Sequence, residues 1–183
     1  SILLGADTGA YTDQLGPFDY YGTAPDASAD VYEFWSFLIN NVFPSVTPDA
    51  DILTADVGTQ FEDWWTRGIE AMAARSGIIV ISGIGNGSES HDSALYPAAA
   101  SNAIGVGAVD PVNTEDEETR LSVFAIPTPR HSTAGPVPDG RCKPDIVAGG
   151  NCLAADALTV DGYKTTGSWT SFSSPIVAGI AGL

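Results

Sequence analysis

The chain has 183 residues, 44% of them hydrophobic, with four Trp and 23 acidic against 7 basic side chains for a net charge of −16. That length suffices for one compact domain burying about 70% of its unfolded surface, and the charge repels phosphate backbones, which argues against nucleic-acid binding. Apolar runs such as 78–81 are far too short to cross a membrane, and no charged-then-apolar leader opens the sequence. Short apolar runs alternating with helical stretches predict a mostly parallel sheet covered by helices on both faces. In chain order, residues 2–6 read as a buried strand ending at Asp7-Thr8-Gly9, and 31–43 carry apolar residues at helical spacing. A second strand is expected over 51–57, then a helix over 62–75 that stops at Gly77. Residues 78–82 (IIVIS) read as the clearest buried strand, followed by the turn GIGNG. A further strand is expected over 103–109, mostly loop over 111–145, and a short strand over 146–148. From Ser171 onward a small-residue helix is expected, with Pro175 in its first turn.

Cys142 and Cys152 form no CxxC pair, so a zinc site is not expected; a disulfide and two unpaired buried thiols both stay open. Parallel sheets place their sites beyond the carboxyl ends of strands. In this reading Asp7, Asp56 and Asn86 stand at such ends and Ser171 at a helix start, so that one crevice gathers them.

The segment Trp169-Thr170-Ser171-Phe172-Ser173-Ser174-Pro175-Ile176-Val177-Ala178-Gly179 puts a serine on the first turn of a helix. There its Oγ is exposed, and its own N–H and the helix dipole favour a developing oxyanion; a capping serine on a packed helix is the plainer alternative. The segment resembles the serine-nucleophile signature of the subtilase family, GTSxxxPxVAG. Residues 78–87 resemble that family's strand and AAGN turn, which makes Asn86 the side-chain donor of an oxyanion hole; a Gly-Asn turn is the alternative. Asp7-Thr8-Gly9 resembles the family's DTG or DSG aspartate, whose role is to orient a histidine. Asp56-Val57-Gly58 occupies the place of the family's SLG strand, which pairs with an extended peptide substrate. With Gly83 and Gly85 these residues form the expected substrate-binding set. Gly22-Thr23-Ala24-Pro25, Tyr96-Pro97-Ala98, residues 104–109 and residues 132–148 also resemble family stretches, in the family's order from Asp7 to Leu183.

The family's histidine belongs to an HGTH helix between the DTG strand and the GxAP turn, yet residues 8–21 contain none. The only histidines, His91 and His131, stand elsewhere and neither is followed by Gly-Thr. Without a base a serine hydroxyl is a poor nucleophile. Trp169 replaces the glycine before Thr-Ser, Ile176 replaces a histidine after proline, and Asp56 adds negative charge beside the cleft. Either a histidine-bearing piece of the parent sequence has been skipped, or the protein is a subtilase that has lost it.

The resemblance therefore implies an α/β, subtilisin-like three-layer fold, with a mostly parallel sheet flanked by helices. Residues 1–183 are read as one subtilase catalytic domain, truncated at both ends and lacking the histidine segment. The expected function is a serine endopeptidase with catalytic Ser171, Asp7 and Asn86, inactive as the chain stands; the alternative is a pseudoprotease that binds peptides. No cofactor is required on this reading, although family members bind structural calcium, toward which Glu115-Asp116-Glu117-Glu118 lacks ligand spacing. The expected partner is a peptide or protein substrate, with no nucleic acid and no membrane, for a monomer that is secreted or extracellular. A third reading, GxGxG at 83–87 as a phosphate loop, lacks both the GxGxxG spacing and a following lysine.

Overall fold

The computed structural model describes residues 1–13, 15–87, 92–109, 132–158, 162–167 and 169–183. His91, His131 and the acidic run at 115–118 lie outside the described residues. The centre is a four-stranded parallel sheet in the order β3 (Ile52–Ala55), β4 (Ile79–Gly83), β5 (Ala103–Val109), β6 (Ile146–Gly149). Strand β4 shows why the sheet needs cover on both faces, because its successive residues Val80 and Ile81 are both buried. Val80 packs with one helical layer and Ile81 with the other. Full burial of side chains of this size contributes about 1.5–3 kcal/mol each, which is the sequence signature of a parallel strand.

One covering layer is built from α1 (Phe34–Phe37), which continues as a π-helical turn over Leu38–Val42, and α2 (Trp64–Ser76). The Glu33 carboxylate caps the first helix by accepting from the N–H groups of Trp35 and Ser36 at 3.1 and 2.8 Å. Asp63 caps α2 through the N–H of Trp64, and Gly77, at φ 77°, closes it in the left-handed conformation expected of a terminal glycine. Trp65, Ile69, Met72 and Ala73 recur at helical spacing and meet Phe37, Leu38, Val42 and Val80 in one core. The other layer is α3 (Thr170–Ala181), whose Val177 and Ala178 pack on Ile81 and Val106. Pro175 is in its second turn, not the first, so the carbonyl of Ser171 loses its usual helical partner.

The amino-terminal strand expected over 2–6 is absent. Residues 2–4 form a turn, and the chain there bonds through Gly22 N–H to Gly5, Thr23 N–H to Ile2 and Ala24 N–H to Leu3. The strand instead runs as β1 (Ala6–Thr12), paired antiparallel with β2 (Gly16–Tyr21) and with no strand of the parallel sheet. Phe18 and Tyr20 of β2 stack on Tyr163 at 5.7 and 4.4 Å between ring centroids, so aromatic packing secures the hairpin. Tyr163 belongs to a second hairpin, β7 (Leu153–Ala155) with β8 (Tyr163–Thr165), which the sequence pattern did not predict. Both cysteines are unpaired, and Cys142 is exposed, so neither the disulfide nor the pair of buried thiols is found.

Candidate active site

The carboxyl ends of β3 and β4 and the first turn of α3 meet around a cavity of about 50 Å³. Its walls are Asp56, Val57, Gly58, Gly83, Gly85, Asn86, Leu95, Thr170 and Ser171. All five residues of the expected substrate-binding set stand there, together with Ser171 and Asn86. Thr170 stands at the threonine of the serine signature but was given no role there, and nothing in the sequence pattern pointed to Leu95. A larger cavity of about 350 Å³, lined by Thr47, Asp49, Asp51, Ser76 and Ile78 among others, contains none of these groups.

Asn86 is held by α3. Its Oδ1 accepts from the Thr170 N–H at 2.8 Å and from the Thr170 hydroxyl at 2.9 Å. A backbone N–H can only donate, so oxygen is fixed as the atom facing Thr170 and Nδ2 is left as the donor end of the amide. The approach is close because Gly83 has no side chain: a Cβ there would stand 2.8 Å from Thr170 Oγ1 and 3.0 Å from Thr170 Cβ.

The hydroxyls of the α3 amino terminus divide in a telling way. Thr170 is spent on Asn86, Ser173 donates to the carbonyl of Ala148 at 3.1 Å, and Ser174 donates to the Asp56 carboxylate. Ser171 Oγ has no such partner among the described residues. It is half-buried and faces the cavity. The Ser171 N–H lies in the first turn, where helix geometry supplies no carbonyl one turn back. Among the described residues, this N–H and Asn86 Nδ2 have no hydrogen-bond partner at the place where a hydroxyl also has none. That combination suits attack on a carbonyl whose oxygen gains negative charge.

Asp56 follows β3 directly. As a whole residue it is exposed, but its carboxyl group turns inward to accept from Ser174 and from the Gly83 N–H. Burial of that group pushes its pKa above 3.8, and the two hydrogen bonds oppose the rise without cancelling it. The ladder between β3 and β4 ends at Ala55 and Ser82, so Val57 and Gly58 run past it, exposed. They continue beyond the strand and are not part of it.

Asp7 stands apart from this group. It lies within β1, opposite Tyr20, and does not line the cavity. Its carboxylate accepts from the Gly9 N–H at 2.8 Å and from the Tyr163 hydroxyl at 3.2 Å. The expectation that Asp7 ends a strand of the parallel sheet is corrected by this hairpin: antiparallel pairing with a near sequence neighbour, reinforced by Phe18, Tyr20 and Tyr163, takes the segment instead. Among the described residues there is no cluster of three or more His, Cys, Asp or Glu placed to hold a metal ion, and no helix long and apolar enough to cross a membrane.

The model of the Peptidase_S8 family, described as the subtilase family, matches residues 44–183. A stretch of 107 residues is 35% identical to "Subtilisin-like protease SBT6.1" of Arabidopsis thaliana, covering 57% of this chain and 9% of that protein. Among solved structures, "PatG macrocyclase in complex with peptide" aligns over 95% of this chain and 49% of its own, with a TM-score of 0.58 at 18% identity. Sphericase aligns over 71% of this chain and 41% of its own, with a TM-score of 0.53 at 23% identity. The chain therefore spans less than half the length of each of these proteins. The two structural likenesses establish the fold: a subtilisin-like three-layer α/β arrangement, as the sequence led one to expect.

Proposed function

The chain belongs to the subtilase family, and we propose that it is a subtilisin-like serine endopeptidase domain in which Ser171 is the nucleophile. Ser171 Oγ attacks the carbonyl carbon of a peptide bond, and the oxygen of that carbonyl takes up negative charge between Asn86 Nδ2 and the Ser171 N–H. On this reading the backbone of Val57 and Gly58, exposed beyond the β3–β4 ladder, pairs with an extended substrate. One observation carries the reading: the hydroxyl of Ser171, without a partner among the described residues, shares its cavity with an asparagine whose oxygen is locked onto Thr170.

The proton of Ser171 needs an acceptor, and in the triad scheme that is a histidine oriented by an aspartate. The chain carries no HGTH segment for Asp7 to orient, so on this reading its turnover as it stands is negligible, because triad members act as a unit. Secretion is part of the same proposal, by family resemblance alone. A second reading, a peptide-binding pseudoprotease, is favoured by Trp169, which stands 39% exposed where the family signature has glycine.

Fluorophosphonate labelling of a version that carries the histidine segment between Asp7 and Gly22, with the modified residue mapped by mass spectrometry, tests the nucleophile, because a serine without its base is not activated toward the probe. Labelling is expected at Ser171, and its loss in Ser171→Ala. Replacing Asn86 by Ala is expected to slow labelling by about 10²- to 10³-fold, the usual effect of removing one such donor. Equal labelling of the wild type and Ser171→Ala would reject the proposal.

A further inference from the structure

Among the described residues lining the cavity of Ser171 and Asn86, Asp56 is the one that is ionisable. Its carboxylate is fixed from behind by two neutral donors, the Ser174 hydroxyl and the Gly83 N–H. Among the described residues, the ion pairs join Arg67 to Glu62, Arg141 to Asp139, Lys143 to Asp145 and Lys164 to Asp156, and none reaches Asp56. A carboxylate offers about four lone-pair positions, so two donors do not saturate it. A negative charge held partly out of water, with no cation of its own, is stabilised by whatever cation a ligand brings.

We propose that Asp56 makes this cavity select peptides carrying a Lys or Arg side chain next to the backbone carbonyl held at Ser171. The inference rests on the reading of the cavity as a peptide cleft and names the substrate class for it. Position supports it as well as charge. Asp56 immediately precedes Val57 and Gly58 and lines the same cavity as Ser171, so a peptide lying along that segment comes close to it. The small size of the cavity, about 50 Å³, suits the tip of a long aliphatic stem better than a bulky ring. The net charge of −16 draws cationic ligands toward the surface. An acidic peptide side chain meets the opposite situation, an unpaired like charge in a poorly solvated site, and is excluded.

The test is binding, measured on the Ser171→Ala chain so that cleavage does not enter. Matched short peptides carry Lys, norleucine or Glu at each position in turn, and dissociation constants are read by titration calorimetry or NMR. At one position Lys is expected to bind about tenfold more tightly than norleucine, which removes only the charge, and Glu more weakly than either. Adding Asp56→Asn should bring Lys and norleucine within about twofold of each other, since a neutral amide keeps the shape and loses the charge. The ranking of the three peptides needs no change at Asp56, so it decides the matter even if that substitution impairs folding. The proposal is overturned by equal Lys and norleucine binding at every position, by a Lys preference that survives Asp56→Asn, or by no peptide binding up to about 1 mM. Labelling of Ser171 without a Lys preference removes this inference alone. A Lys preference without labelling leaves it standing and removes the hydrolase.

Discussion

Replacing Thr170 by Val tests whether α3 orients the oxyanion donor. Valine keeps the shape and the backbone N–H but removes the hydroxyl that donates to Asn86 Oδ1 at 2.9 Å, leaving only the N–H bond at 2.8 Å. One intramolecular hydrogen bond contributes about 0.5–1.5 kcal/mol net. Asn86 is exposed, so water can replace part of the loss, and the lower half of that range is expected. For a chain of this length about 1 kcal/mol corresponds to a Tm change of about 2–4 °C. Because the bond joins two side chains, Thr170→Val and Asn86→Ala should not be additive. A double-mutant cycle followed by urea denaturation should give a coupling of about 0.5–1 kcal/mol, whereas independent sites add within about 0.3–0.5 kcal/mol. Thr170→Ser, which keeps the hydroxyl, should retain the coupling. In a version that carries the histidine segment, fluorophosphonate labelling of Ser171 should slow in Thr170→Val and recover in Thr170→Ser. Additivity in the cycle, together with unchanged labelling in Thr170→Val, would refute the orienting role.

Gly83→Ala should displace α3, because the new methyl would stand 2.8 Å from Thr170 Oγ1 and 3.0 Å from its Cβ; a cost of about 1–3 kcal/mol in denaturant unfolding is expected, and an unchanged midpoint would remove the close contact. Gly77→Ala forces a side chain into the left-handed region at φ 77° where nothing else crowds it, so a loss of about 1–2 kcal/mol should come from backbone conformation alone. The Asp56 carboxyl has a pKa raised by burial, so its protonated form is favoured more in the folded than in the unfolded chain. The resulting stabilisation is fully present below the unfolded carboxyl pKa of about 3.9 and is lost as pH rises through the folded value. Subtracting the stability-against-pH curve of Asp56→Asn from that of the wild type should isolate that decline, and parallel curves would count against the buried carboxyl.

What could be read from the sequence was what depends on periodicity and on short-range turn chemistry. The run 78–82 announces a strand because its consecutive apolar residues have no polar face to give to water, and β4 lies there within one residue at each end. The helix α2 is bounded by Asp63 and Gly77, two residues whose end-forming chemistry is local. Strand ends pointing the same way in a parallel sheet, with a helix start beside them, led to Asp56, Asn86 and Ser171 in one crevice but wrongly added Asp7; Gly83 and Gly85 came from the family resemblance. The N-terminal segment failed for a corresponding reason. A buried parallel strand and one arm of a hairpin look alike over a few residues, and what decided between them was an aromatic contact to Tyr163, more than 140 positions from Phe18 and Tyr20. Hydrogen bonds from Tyr163 to Asp7 and from Ser174 to Asp56 span 156 and 118 positions. No periodic pattern encodes such partners.

The composition of the α3 amino terminus follows from the same geometry. A helix that enters over the ends of three parallel strands meets carbonyls and polar side chains that the ladder no longer satisfies, and each needs a donor. Thr170 serves the turn after β4, Ser173 serves Ala148 of β6, and Ser174 serves Asp56 after β3. Small hydroxyl residues suit this task because they donate without holding the helix away from the sheet. If docking were the whole purpose, Ser171 would have a partner too. Instead it is the member of the series whose hydroxyl has no partner among the described residues, and it stands between two neighbours that tie this turn down, Thr170 through Asn86 and Ser174 through Asp56. A hydroxyl left free at the point where its surroundings are most firmly tied is what a nucleophile requires, since preorganised donors act without reorganising at the moment of reaction. The arrangement makes the docking bonds and the reactive group parts of one device, so weakening either neighbour should disturb Ser171 even though neither touches its Oγ.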